Sequence, residues 1–465
     1  MSVKALHGQY EAAADFWRTC RDVMAGEQAM KGAGERYLMK LPKMSAEDFS
    51  AYGRRALFYN GTARTVVGLL GLVFSKPPAL VAGESPLGKK VEALARDVDM
   101  RGTDLTAYSR RVMSEVLVMG RCGTFVDWSG PEESRPVLAF YPAEDILNWR
   151  VARIGGRQVL TLVVLREAVE EVKEDGYEVE VGERYRVLRL GAEGVVWELW
   201  QKGGENREED VLVRNGLLLR SGVALTEIPF IFHGPSGSGV GVEEGMLKDL
   251  VYANLDHFRV NAEFKHGLHF TALPTAWVAG FNTESELRIG STAAWVTPQV
   301  GATAGYLEFR GEGLMSFERA MDRIERLMTV LGARLLESHK KVSESAEALS
   351  LRQQGENSIL ADVAAAVSAG LTAALRWCEW WLGADDRGVG SVFTLNTDYD
   401  AGRLNGAEVA ALVSAWQCGA VSRETLLYQL ERGELMRPGA TAEDEARKVA
   451  ADMPPGLVVV GRAKG

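Results

Sequence analysis

VEEGMLKDLVYANLDHFRVNAEFKHGLHF, residues 242–270, contains no proline and reads as one long helix. Glu243 and Glu244 would stand at its N-terminus, where the helix dipole favours negative charge. At about 1.5 Å per residue such a helix is roughly 40 Å long. Pro274 blocks its continuation. Outward on the C-terminal side the character changes: WVAGF (277–281), AAWVTP (293–298) and GYLEFRG (305–311) read as short strands with tight turns. Helical periodicity then returns from Leu314 to Glu337, with Leu314, Phe317, Met321, Ile324, Met328, Leu331 and Leu335 on one stripe. Two long helices therefore flank a small β insert.

Further out, KKVSES (340–345) is a polar break, and a third long helix is expected from Ser345 to Trp381, with Gly355 as a point of interruption. A strand over Val392–Thr397 and short helices over 406–417, 422–432 and 441–452 complete that side. On the N-terminal side, HGPSGSGVG (233–241) marks a hinge into the long helix. Ahead of it lie short strands over 123–127, 136–141, 159–166, 185–190, 195–201 and 209–213, separated by Gly, Asp and Glu clusters. The acidic stretch Val169–Glu183 reads as a linker between two of them. Helices are expected over 46–74, with Ser45 as N-cap and Gly61 as a kink or break, and over 105–118. The fold class is α+β.

A chain of 465 residues with 46% hydrophobic and 25% charged residues can bury a large core. Its net charge of -10 disfavours tight DNA wrapping, because that affinity comes from Lys and Arg neutralising phosphates. A wall along which DNA slides is compatible with an acidic chain. Cys20, Cys122, Cys378 and Cys418 lie far apart, so neither a zinc ribbon nor a disulfide scaffold is indicated, and a reducing cytoplasm fits. The N-terminal stretch has no apolar signal core, and the Ala-rich stretch Leu360–Trp381 carries Asp362, Arg376 and Glu379, which favours a soluble helix.

Chemistry-bearing motifs are weak. The glycine loop at 233–241 lacks the G-K-[ST] ending of a phosphate cradle, and Glu243 and Glu244 would repel a phosphate there. Glu263-x-x-His266 is half of a di-iron motif without a second copy. His257, His266 and His269 read as partly exposed helix residues, with metal ligation across subunits as the alternative. Trp377, Trp380 and Trp381 read as core or subunit interface, with base stacking as the alternative. No catalytic residue, metal ligand or cofactor is assigned.

Several motifs carry a family resemblance. They are Tyr52-x-x-Arg55-Ala56-x-x-Tyr59-Asn60-x-x-x-Arg64-Thr65, continuing through Gly68, Gly71, Phe74, Lys76 and Pro77; Tyr141-Pro-Ala-Glu-Asp-Ile-x-x-Trp149; Glu227-Ile-Pro229-Phe230; Phe393-x-Leu-Asn396-x-Asp398-Tyr399; and Gly419-x-x-Ser422-x-x-Thr425 to Leu430. In motif order and in element order the chain resembles the portal proteins of tailed double-stranded DNA bacteriophages. The resemblance implies a wing over 1–241, a stem helix over 242–272 and a clip over 273–310. It implies a second stem helix over 311–338 and a tunnel loop over 339–345. A long kinked helix with a returning wing strand follows over 346–399, and a crown over 400–465.

It further implies a homo-oligomeric ring, of twelve subunits in the virion, at one vertex of the head. Double-stranded DNA would pass through it, driven by the terminase large subunit. Capsid and scaffold proteins and a head–tail adaptor would be further partners, with no membrane and with assembly in the bacterial host cytoplasm. Lys340, Lys341, Val342, Ser343 and Glu344 would form the tunnel loop. Trp277, Phe281 and Trp295 would pack between neighbouring clips, since so small a segment hardly buries a core alone. Two other classes stay open: an enzyme acting on a phage or cell polymer through the N-terminal α/β region, and a different structural head protein.

Overall fold

The computed structural model describes residues 3–83, 85–130, 134–172, 176–202, 210–271, 275–281, 295, 297–307, 312–334, 358–387, 390–399, 406–432, 435 and 441–451. They fall into two compact units, 1–397 and 398–465. Helices and strands are both abundant, in keeping with an α+β chain.

The first unit opens with α1 (Gly8–Ala25) and α2 (Glu27–Gly32), separated by Gly26 at φ 90°. Neither helix is among the elements expected from the sequence pattern. α3 (Ala46–Arg55) is capped by Ser45, whose hydroxyl accepts from the Asp48 N–H at 3.0 Å. The helix expected to run on to Phe74 stops here, because Ala56 is extended. Asn60 then caps α4 (Gly61–Val73) through the Ala63 N–H. The break thus precedes Gly61, which is the first residue of the new helix.

β1 (Ala79–Val81) and α5 (Pro86–Leu94) follow, then α6 (Leu105–Met119), capped by Asp104 and ended by Gly120 in the left-handed conformation. β2 (Cys122–Trp128), β3 (Pro136–Pro142) and β4 (Ile146–Ile154) lead into β5 (Arg157–Val172), β6 (Val179–Gly191), β7 (Gly194–Lys202) and β8 (Asp210–Leu217). β4 to β8 form an antiparallel meander in chain order. The stretch Val169–Glu183 is therefore no linker. Residues 169–172 extend β5 and residues 179–183 belong to β6, with Val169 paired to Gly182 and Val172 to Val179. β9 (Leu219–Arg220) and β10 (Val223–Ala224) are a short ladder, and β11 (Phe230–His233) pairs with β2 to give the order β11-β2-β3.

α7 (Lys248–Thr271) starts six residues later than the expected Val242. Two glycines explain the delay. A Cβ on Gly245 would overlap the Val118 carbonyl, and one on Gly120 would overlap the Glu243 carbonyl. Residues 243–245 lie flat against the end of α6, so Glu243 and Glu244 are not the first-turn acids; Asp249 is. β12 (Thr275–Ala279) and β13 (Thr303–Leu307) form one antiparallel pair, and α8 (Glu312–Arg334) follows. Trp295, Thr297 and Pro298 of the expected strand AAWVTP carry no strand.

α9 (Ile359–Trp381) is capped by Ser358 and forms the later part of the long helix expected over Ser345–Trp381; the expected start at Ser345 and the interruption at Gly355 lie outside the described residues. β14 (Val392–Thr394) is shorter than the expected Val392–Thr397 and pairs antiparallel with β1. α9 is the core of the unit. Leu360, Val363, Val367, Leu371, Leu375 and Cys378 are buried where it packs on α6, β2, β11 and β14. It is long and apolar enough to cross a membrane by length and composition, and 56% of its most apolar window is buried inside the unit.

In the second unit α10 (Gly406–Gln417), α11 (Arg423–Arg432) and α12 (Ala442–Ala451) match the expected tail helices. Ser422 and Thr441 accept from the Thr425 and Asp444 N–H groups, the capping that these residue types favour.

Candidate functional site

α7 and α8 pack on each other in opposite directions. Gly267 faces Leu314, the Asn261 amide reaches Met321 Sδ at 3.7 Å, and His257 Nε2 stands 3.1 Å from Glu325 Oε1. Further along, α8 passes α4, where Met328 lies against Gly61 and Gly332 against Thr65. The expected periodicity is visible here: Leu314, Met321 and Met328 lie on the side of α8 turned to α7 and α4. Away from these contacts Met315, Leu327 and Val330 stay about half exposed, among charged residues that include Arg319 and Arg323.

α7 is anchored on its other side by polar groups. Asn254, fully buried, accepts from the Thr62 N–H at 2.9 Å and the Thr62 hydroxyl at 3.0 Å, and donates to the Tyr59 carbonyl at 2.7 Å. Asn261 accepts from the Leu57 N–H at 2.8 Å. Glu263 accepts from the Tyr52 hydroxyl at 2.9 Å, and burial with this carboxylate pushes the phenol well above its usual range. The segment between α3 and α4 is non-helical, and these side chains satisfy its free backbone groups. Sequence reasoning missed this anchor. Its signal was present: Asn254, His257 and Asn261, at helical spacing, interrupt the stripe that α7 buries.

The Glu263–His266 pair is thus structural. His266 lies 3.4 Å from Arg55 and edge-on to Tyr52, and burial together with Arg55 lowers its pKa. His257 is buried, not partly exposed. Among the described residues no group of three His, Cys, Asp or Glu is placed to hold a metal. A cleft of about 620 Å³ between α4 and α8 is lined by Tyr59, Arg64, Asp322, Glu325 and Arg326. Its charges are mixed.

Between α7 and α8 the β12–β13 pair places Trp277 opposite Gly305, whose missing side chain makes room for the indole. Trp277 remains 41% exposed, and Tyr306 57%. Phe281 and Trp295 are half-buried. Lys340, Lys341, Val342, Ser343 and Glu344 lie outside the described residues. The tryptophans of α9 are occupied within the unit: Arg387 stacks on Trp377 at 3.8 Å, Arg220 on Trp380 at 4.3 Å, and Trp381 meets Trp128. The glycine loop at 233–241 closes on itself through a Gly234–Gly237 bridge, with Glu243 beside Gly234.

Comparison with known proteins gives three results. No curated protein matches the chain. Among solved structures, a chain of the virion of a native gene transfer agent particle is 13% identical; the match covers 86% of this chain and 95% of that one, with a TM-score of 0.39. A chain from the neck of the native particle, computed with C12 symmetry, is 13% identical over 87% of this chain and 98% of that one, again with a TM-score of 0.39. A chain from the neck of the empty particle, computed with C6 symmetry, is 12% identical over 84% and 95%, with a TM-score of 0.40. The family model described as domain of unknown function (DUF4055) matches residues 246–382, a span from just before α7 to just past α9.

Proposed function

We propose that the chain is a portal subunit, one of a closed ring through which double-stranded DNA enters and leaves a phage-like head. The observation that carries this reading is the antiparallel pair α7 and α8, joined through the small β12–β13 hairpin and followed in the chain by the core helix α9. That order matches the stem, clip, stem and long helix of the portal family. A ring of identical chains closes by head-to-tail contacts. The half-exposed apolar residues of α8 and the exposed Trp277 and Tyr306 of the hairpin are side chains that such contacts cover. Trp277, Phe281 and Trp295 are assigned to packing between neighbouring hairpins.

The role is passive. The acidic chain attracts DNA weakly, so DNA slides along its walls instead of being held. Lys340 and Lys341 are assigned to the narrowest part of the channel. A separate terminase large subunit supplies the work, and capsid, scaffold and adaptor proteins hold the outer surfaces.

Native mass spectrometry combined with electron microscopy of the purified chain tests the reading. A closed ring with a central channel is expected, of about a dozen subunits as the resemblance to portal proteins implies. A monomer that hydrolyses a polymer substrate overturns it.

A further inference from the structure

Past Glu167 the β5–β6 hairpin leaves its sheet. The base is tied down, since the Glu167 carboxylate accepts from the Tyr141 hydroxyl at 2.6 Å and from Arg184 at 2.6 Å. β4 pairs with β5 only as far as Leu165, and β7 pairs with β6 only from Arg184. Among the described residues, 168–172 and 179–183 therefore pair with each other alone. Cross-strand register sets Glu170 opposite Val181 and Ala168 opposite Glu183, with Val179 on the same face as Val181. Val179 is 51% exposed, Val181 65% and Tyr177 92%.

The charge on this arm has one sign. Residues 168–183 carry Glu170, Glu171, Glu174, Asp175, Glu178, Glu180 and Glu183 against Lys173 alone. A two-stranded ribbon is marginal in water by itself, and open edges beside exposed valines are a template for a further strand. Charge decides which strand is accepted. A second copy of the arm would set glutamates opposite glutamates, which destabilises a cross-strand pair. A DNA duplex would bring phosphates to seven carboxylates. An extended protein segment that alternates lysine or arginine with apolar residues meets both demands: it covers the valines and pairs with the acids.

We propose that the β5–β6 arm is a docking strand for a basic, extended segment of a partner protein. The segment adds along the arm, covers Val179 and Val181 on one face, and sets its cations against Glu178 and Glu180 on the other. This proposal does not rest on the portal reading.

The test uses the full chain in its assembled form and a fluorescent octapeptide of alternating lysine and valine. The peptide is expected to bind, more weakly as salt rises. Its affinity is expected to fall at least tenfold in Glu178→Gln/Glu180→Gln, and also in Val179→Ser/Val181→Ser, where the charge is unchanged. A peptide of alternating glutamate and valine is expected not to bind. All substituted positions are exposed, and circular dichroism checks that the variants keep the fold. The proposal is overturned if the lysine–valine peptide does not bind the intact chain or binds both variants equally. It is overturned as well if the valine variant lowers the number of subunits, which makes a second copy the occupant, or if a DNA duplex competes for the arm.

Discussion

His233 stands in a buried relay: its Nε2 lies 2.8 Å from the Thr124 hydroxyl, itself 2.8 Å from the Tyr108 hydroxyl. Burial pushes its pKa down to about 4. In the unfolded chain the imidazole takes its proton near the ordinary value of about 6.5. Between these values the unfolded state binds the extra proton, so stability falls as pH drops through this window, by about 3 kcal/mol from this residue. Urea unfolding from pH 7 to pH 4 is expected to show a His233→Leu variant losing less stability than the parent by roughly that amount. A constant difference between the two across this range would rule the account out. Asn254 offers a second test. Truncation to Ala leaves the Thr62 N–H and the Tyr59 carbonyl buried without partners, at an expected cost of about 3 kcal/mol in the same assay. A cost near zero would mean that the segment between α3 and α4 does not depend on this anchor. His233 was not legible in advance, because a lone buried polar side chain looks like surface until its partner, more than 100 positions away, is known; Asn254 left only the interrupted apolar stripe of α7 as a sign, which does not name its partner.

At the scale of elements the sequence was readable where local chemistry decides and opaque where a neighbour does. Ser45, Asp104, Ser422 and Thr441 cap helices because their side chains reach a backbone N–H within the next turn. The strands of the meander were visible in part from the Gly, Asp and Glu clusters between them, yet the ends of β5 and β6 were hidden by glutamates that read as a linker. The start of α7 was misplaced for a tertiary reason, the close crossing of residues 243–245 over the end of α6. Gly245→Ala is accordingly expected to cost about 4 kcal/mol or to prevent folding. Gly239→Ala, with open space around its Cβ position, is expected to stay within about 0.5 kcal/mol. Soluble yield and thermal melting of the two variants compare them directly, and equal behaviour would remove the crossing as the cause.

For the whole molecule, composition and element order supplied the α+β class and the helix–hairpin–helix core of the candidate site. The arrangement of the first unit did not follow from them, since α9 and β14 return from far along the chain to pack on α6 and β1. The ring reading makes a prediction at this scale. Lys340→Ala with Lys341→Ala is expected to leave ring mass unchanged and to alter DNA packaging or retention in assembled heads. Two cations per subunit contribute weak, salt-sensitive phosphate contacts. Normal packaging and retention in the double variant would remove these lysines from the DNA path, and loss of the ring would make them structural.

The late return of α9 has a consequence for synthesis. The buried face of α6 is complete once Met119 has left the ribosome, but its cover ends at Trp381. At bacterial elongation speeds, the upper part of a range of about 5–20 residues per second, that interval is roughly 15 s, and it lengthens to about 50 s at the slow end. Throughout it the nascent chain presents the part of α6 that α9 covers without its final partner. The unit can close only after translation has passed β14, which makes the unfinished chain a natural client for holding chaperones.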